Sequence, residues 1–352
     1  MILTIVAGVI VLSVLIIVHE LGHFIAAKAT GNWVEEFGIG FPPRIWGKKW
    51  GETIYSINWI PFGGFNKLSG EVDPAAPRAL AARSRAVRLL VMSGGMIMNL
   101  LLPLVLLSVA FMVPHDVLIG KVVVQEVAPG SPAELAGIRP GDNIISVNGK
   151  VVNSVGDLSR YVQLKLGAEI SIVLNHADAT IQTIRLVPRW KPPAGQGAMG
   201  TLSSTVNGTI VSESLPFWKA IPAGSGECID TLVLYTNGII GMINGTVPFV
   251  PAGPVGIVQV AGEVAHVGIS PLLELSAFIS IAIAITQIIP FPGLDGARMA
   301  FILVEWARRG KRISPKIEGI VHSVGFFILL ALMVLITYQD LARWITGGSL
   351  TG

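Results

Sequence analysis

The stretch Ile10-Val-Leu-Ser-Val-Leu-Ile-Ile-Val-His19-Glu20-Leu-Gly-His23 decides the fold, because it sets an HExxH motif inside an apolar run that begins at Ile2. The run extends to residue 27, long enough to cross the ~30 Å core of a bilayer as a helix. On a helix His19 and His23 lie one turn apart on one face, so both imidazoles can bind a single metal ion. Glu20 projects beside them, placed to take a proton from a water on that metal. A charge at this depth costs about 2.5–3.5 kcal/mol on insertion scales and is retained where it serves a function. The pattern predicts metal-assisted hydrolysis carried out within a membrane.

Composition agrees. The chain has 352 residues, 52% hydrophobic and 13% charged, and that charged share is about half of what soluble domains carry. A net charge of +3 with scattered Lys and Arg gives no nucleic-acid footprint. The single cysteine, Cys228, excludes an intrachain disulfide and lacks ligand spacing. The N-terminus is not read as a cleavable signal, since it has no basic n-region and the HExxH stands where a cleavage site would be needed. Residues 87–113, 272–289 and 320–338 are three further candidate spans. The loop after the first span carries Lys28, Arg44, Lys48, Lys49, Lys67, Arg78, Arg83 and Arg85, and the loop after the third carries Arg298, Arg308, Arg309, Lys311, Arg312 and Lys316. The positive-inside rule makes both loops cytoplasmic, leaving the termini and residues 114–271 outside. The expected location is a multi-pass protein of the cell (inner) membrane with its active site toward the cytoplasmic side.

The outer segment contains a soluble domain over residues 114–190. Asn148-Gly149 between two apolar runs signals a hairpin. Ser131-Pro-Ala-Glu134 has the form of a capping box opening a short helix that Gly137 and Pro140 end. Residues 154–166 read as a second helix, and 169–174 and 180–186 as closing strands. Residues 191–271 read as an extracytoplasmic linker plus an interfacial segment at 228–243, since the stretch is rich in Pro, Gly, Ser and Thr and then apolar but interrupted.

A catalytic zinc site takes three protein ligands and keeps one position open. The best third ligand is Asp295, in Pro290-Phe-Pro292-Gly-Leu-Asp295-Gly296, where prolines break the third span and an acid at membrane depth reads as functional. His19 lies roughly 25 Å along the first helix and Asp295 roughly 33 Å along the third, at about 1.5 Å per residue. Both helices run inward, so the ligands can meet.

With these motifs quoted, the chain resembles the site-2 family of intramembrane zinc metalloproteases, in the branch similar to bacterial regulator-of-sigma-E proteases with a single PDZ domain. Ala128-Pro-Gly-Ser-Pro-Ala-Glu-Leu-Ala-Gly-Ile-Arg-Pro-Gly-Asp142 resembles the PDZ units of envelope proteases, and Phe37-Gly-Ile-Gly-Phe-Pro42, Ile60-Pro-Phe-Gly-Gly-Phe65, Arg88 with Asn99, and Gly253-Pro-Val-Gly-Ile257 also fit. The resemblance implies a polytopic α-helical membrane protein of about four transmembrane helices, with a membrane-reentrant β-loop and an inserted extracytoplasmic PDZ domain of α+β type. The domains are then a membrane core at 1–113, the PDZ at 114–190, the linker and interfacial segment at 191–271, and a second membrane core at 272–352. It implies one Zn²⁺ per chain held by His19, His23 and Asp295, with Glu20 as the catalytic base. The β-loop matching residues 55–65 would hold the substrate unwound, which makes Ile57, Pro61, Gly63, Gly64, Phe65, Gln287, Pro290 and Pro292 substrate-binding candidates. Two positions depart from the family: Gln287 replaces an Asn, and Ser93-Gly94-Gly95 replaces Ala-Gly-Pro.

The implied activity is hydrolysis of peptide bonds inside the transmembrane segment of single-span proteins, anti-sigma factors or remnant signal peptides, in regulated intramembrane proteolysis. Its implied partners are that substrate, the lipid bilayer and a peptide or protein terminus at the PDZ groove. The alternative is a catalytically silent scaffold that binds peptides through the PDZ. Three metal ligands in lipid argue against it, because a scaffold has no use for them.

Overall fold

The computed structural model describes residues 2–71, 73–248 and 250–346. Along the chain the elements are α1 (Ile2–Ala29), β1 (Val34–Trp50), β2 (Thr53–Leu68), α2 (Arg85–Met112), β3 (His115–Val127), α3 (Pro132–Leu135), β4 (Asn143–Val147) and β5 (Lys150–Val151). They continue with α4 (Val155–Gln163), β6 (Ile170–Asn175), β7 (Ile181–Leu186), β8 (Thr201–Glu213), α5 (Phe217–Ile243), α6 (Pro254–Val267), α7 (Ile269–Ile288), α8 (Asp295–Ala307) and α9 (Pro315–Ile345). Among the described residues four helices are long and apolar enough to cross a membrane: Thr4–Ala29, Arg85–Met112, Ile269–Ile288 and Pro315–Ile345. These are the four spans expected from hydropathy. The chain divides into two compact units, Met1–Ala110 with Pro251–Gly352, and Phe111–Val250.

In the first unit α1 is held by backbone-to-backbone contacts that only glycine permits. A Cβ on Gly22 would strike the Gly94 carbonyl of α2, and one on Gly94 would lie 2.6 Å from the Gly22 carbonyl. Toward its other end, Gly8 meets Val258 of α6 and Gly262 of α6 meets Thr4. Lipid tails are as apolar as leucine, so close van der Waals packing at small residues is what drives such helices together. Side chains then fill the seams: Ala27, Val34, Leu68, Val91 and Met299 form one cluster, and Val11, Leu15 and Ala261 another.

The β1–β2 hairpin folds back on itself. Residues 34–39 pair on one side with 54–57 and on the other with 64–68, while 44–50 pair with 53–58. The result is four arms in the order 44–50, 53–58, 34–39, 64–68, antiparallel at the two outer seams and parallel at the central one. Among the described residues, arms 44–50 and 64–68 each keep an unpaired edge.

Helix α6 has no side-chain cap of its own at Gly253. Asp340, 2% exposed and near the end of α9, supplies one: its Oδ2 accepts from the backbone N–H of Gly253 (2.9 Å) and of Gly256 (2.8 Å). A buried helix start with unmet donors is costly, and a carboxylate also suits the positive end of the helix dipole.

The second unit is an antiparallel sheet in the order β7-β6-β4-β3-β8, with β5 paired to β4. Its core is aliphatic, with Val122, Ile144, Ile170, Ile172 and Leu174 each at most 1% exposed. Asn148 (φ 50°) and Gly149 (φ 78°) form the expected turn of mirror type between β4 and β5. Ser131 caps α3 by accepting from the Glu134 N–H, but Glu134 reaches back to the Gly130 N–H, so the box is closed one residue early. The full capping box is on α4, between Ser154 and Asp157.

Within residues 191–271, read from sequence as linker and interfacial segment, the chain forms regular elements. Residues 201–213 form β8, which pairs with β3 along nearly its whole length. Helix α5 begins at Phe217 and is tied within its own unit by Lys150–Asp230 (2.6 Å) and by Arg160–Glu227. Helix α6, in the same stretch, belongs to the other unit. Composition misled because Ser and Thr suit an exposed strand as well as a loop.

Candidate active site

The groups of the predicted site arrive on two elements of the first unit, α1 and α8. α1 presents His19 and His23 on one face, both buried at 6% and 7% exposure. The third span ends at Ile288, the chain turns through Pro290 and Pro292, and Asp295 opens α8. That turn is locked from two sides. The Asp295 N–H donates to Gln287 Oε1 at 3.3 Å, and Gly325 of α9 lies so close to Pro292 that no Cβ would fit. Gln287 thus supports the loop that carries Asp295. The acid sits at a helix N-terminus, where its charge is favoured.

Three acceptors converge. His19 Nε2 and His23 Nε2 are 3.3 Å apart, and Asp295 Oδ2 lies 3.1 Å from the first and 2.9 Å from the second. His23 Nδ1 stands 2.8 Å from the Val91 carbonyl, which can only accept. The ring proton is therefore on Nδ1 and the Nε2 lone pair faces the other two ligands. Asn99 Nδ2 is 3.5 Å from His19 Nδ1, while Asn99 Oδ1 is buried without a partner. With its amide turned over, Asn99 offers that oxygen to a protonated Nδ1 and sets the same tautomer on His19. Lone pairs pointed at a common centre repel one another until a cation lies between them. Metal–ligand bonds of about 2.0–2.1 Å in a tetrahedral site set ligand atoms about 3.3 Å apart, so this donor set and its spacing fit zinc.

Glu20 borders a cavity of about 280 Å³ that His23, Asp295, Gly64, Phe65 and Asn66 also line. Asn66 was not foreseen from sequence. Its Nδ2 donates to Glu20 Oε2 at 2.8 Å and to the Glu20 backbone carbonyl. Arg298, one turn beyond Asp295, pairs with Glu71 at 2.7 Å beside the same cavity.

The substrate-binding candidates divide. Gly64 and Phe65 are on the free arm 64–68, and a Cβ on Gly64 would come within 3.4 Å of Glu20 Cγ. Gly63 is buried at φ 89° against Phe41. Ile57 pairs with Ile39 on one side and Trp46 on the other, so its backbone has no open edge for a substrate. Pro61 is in β2, and its side chain lies outside the described residues. Pro290 and Pro292 shape the Asp295 turn. Gly95, part of a departure from the family, lies against both metal-binding histidines: a Cβ there would be 2.5 Å from His23 Nε2 and 2.7 Å from His19 Nε2.

A profile of peptidase family M50 matches residues 7–332. The chain is 33% identical over 345 residues to a Clostridium perfringens protein named as a candidate zinc metalloprotease, covering 94% of this chain and 96% of that one. A similarly named Clostridium acetobutylicum protein is 32% identical over 338 residues, 96% of each chain. Zinc metalloprotease RasP of Geobacillus kaustophilus is 26% identical over 434 residues, covering 97% of this chain and 98% of that one.

Proposed function

The chain belongs to peptidase family M50, the site-2 proteases, and is a membrane zinc metalloprotease; from that premise we propose that it hydrolyses peptide bonds within the transmembrane segment of single-span membrane proteins. The observation that carries this reading is the convergence of His19, His23 and Asp295, beside Glu20, at the base of an apolar spanning helix and next to an unpaired strand edge. His19, His23 and Asp295 are the groups that would hold zinc, which when bound supplies Lewis acidity to a water and to the scissile carbonyl. Glu20 takes the proton of the attacking water and passes it to the leaving amine.

A helical substrate shields its amides, and in lipid an unpaired backbone group costs several kcal/mol. The arm 64–68 offsets that cost by offering main-chain partners to an unwound segment, as in strand addition. Gly64 lacks a side chain where the substrate backbone must pass Glu20. The substrates fitting this chemistry are anti-sigma factors or remnant signal peptides already relieved of a bulky outer domain.

The second unit is read as a PDZ-type domain that binds a peptide terminus or excludes large outer domains. The reading places it at 114–190, within the compact unit Phe111–Val250, whose sheet also takes in β8. The positive-inside asymmetry supports extracytoplasmic termini and an active site toward the cytoplasm.

The test is cleavage of a single-span substrate lacking its outer domain, in proteoliposomes, by wild type and Glu20→Gln with zinc measured on both. Loss of cleavage with zinc retained is expected. Equal cleavage by the two would remove Glu20 from the mechanism, and wild type without zinc would favour a peptide-binding scaffold.

A further inference from the structure

Along the arm 64–68 side chains alternate between faces. Lys67 is exposed, while Leu68 is buried and Gly64 and Asn66 face α1. Asn66 is the residue on this arm whose side chain hydrogen-bonds to Glu20, and it does so twice, through the carboxylate and through the backbone carbonyl. An amide nitrogen has two hydrogens. Both are used here on one residue.

We propose that Asn66 is the positioning residue of the catalytic base, fixing the Glu20 carboxylate against its own helix and tying it to the strand edge that receives the substrate. A glutamate has three rotatable side-chain torsions, and a base is effective only within hydrogen-bond reach of the proton it takes. Anchoring Oε2 stops the side chain from leaving the cavity and commits that oxygen to Asn66. Oε1 is then the atom free to accept the proton of water. The second bond, to the Glu20 carbonyl, fixes the amide itself relative to α1, so the arm cannot shift without carrying the clamp. Base orientation and substrate registration therefore share one short segment, Gly64 to Asn66. The Asn66 side chain acts through Glu20.

This inference rests on the reading of Glu20 as base and of 64–68 as the substrate edge, and its test separates the two. Asn66→Leu and Asn66→Asp keep the size of the side chain and remove both donors; Asn66→Gln keeps the donors on a longer stem. Turnover of a single-span substrate in proteoliposomes is measured for each, together with zinc content and thermal midpoint. General-base catalysis is worth about 10²- to 10⁴-fold, and misplacing the base forfeits part of it. The expected result is a fall in kcat of about 10- to 100-fold in Asn66→Leu and Asn66→Asp, with KM and zinc unchanged and partial recovery in Asn66→Gln. In a Glu20→Asp background, whose shorter carboxylate falls short of the amide, Asn66→Leu should cost little more. An unchanged kcat, a loss confined to KM or to zinc content, or full additivity with Glu20→Asp would overturn the proposal. Should Asn66→Leu not fold, the Asn66→Asp result decides. Undiminished cleavage by Glu20→Gln would instead sink the reading of the base, whatever Asn66 does.

Discussion

Gly95→Ala puts the smallest possible load on the metal site. The added methyl would sit 2.5 Å from His23 Nε2, 2.6 Å from His19 Cε1 and 2.7 Å from His19 Nε2, against 3.4 Å or more for an ordinary contact. About 0.7–0.9 Å must be found. It cannot come from helix separation at low cost, because Gly22 and Gly94 already press backbone to backbone one residue away on α2. Nor can His23 turn aside freely, since Nδ1 is held by the Val91 carbonyl. Overpacking of this kind costs about 1–3 kcal/mol in stability. Metal and catalytic groups need placement within about 0.5 Å, and a 1 Å error can cost about 100-fold in rate. We expect Gly95→Ala to remain folded, to bind zinc at least tenfold more weakly (about 1.4 kcal/mol), and to lose about 100-fold in kcat. Zinc affinity comes from competition with a chromophoric chelator, turnover from proteoliposomes, and folding from circular dichroism. Gly238→Ala, with nothing within 4 Å of its Cβ, is the control. Wild-type zinc affinity and turnover in Gly95→Ala would refute the packing argument.

Glu305 is buried between Arg88 (2.5 Å) and Arg312 (3.3 Å), so Glu305→Ala strands Arg88 and should cost about 3–5 kcal/mol in detergent unfolding, whereas exchanging Arg88 and Glu305 together for Met should be nearly neutral. Burial alone would raise the Glu305 pKa, but Arg88 and Arg312 hold it below the ordinary value, so its stabilisation is complete at neutral pH and lost only as acid titrates the carboxyl through its lowered pKa; a wild-type melting point that drops as pH rises through this range would contradict that. Asp340→Ala leaves the Gly253 and Gly256 N–H groups unmet and should cost about 0.5–2 kcal/mol, the size of a lost cap, with faster amide exchange at the start of α6. Chelation of zinc should abolish cleavage and lower the melting point, and zinc should restore both, because the facing lone pairs of His19, His23 and Asp295 repel without it.

What was legible in the sequence follows from the range of each signal. Spans, the HExxH face and the Asn148-Gly149 turn are written in neighbouring residues, as run length, helical period and backbone preference. Asp295 could be found because an acid after broken apolar helix has few other uses. The double pairing of residues 34–39 was out of reach, since it depends on register between arms rather than on the alternation within them. β8 was missed because its partner, β3, lies some 80 residues earlier and its Ser and Thr read as linker. α6 is apolar but, at 14 residues, too short to be recognised as a span. Asn66 and Asp340 left no local trace at all: each is a lone polar residue whose meaning lies in a backbone group far along the chain.

The crossing of α1 and α2 at Gly22 and Gly94 has a mechanical consequence. A spanning helix tilts when bilayer thickness changes, and a tilting rod moves least at its fulcrum. Gly22 is that fulcrum, and His23 is the next residue. Gly8, toward the other end of α1, is roughly 21 Å away at about 1.5 Å per residue. If the far end swings by about 1 Å, the lever leaves less than about 0.1 Å at His23 and about 0.2 Å at His19, three residues from the fulcrum. Seating the ligands at the pivot lets the rest of the helix follow the membrane while the metal geometry stays still.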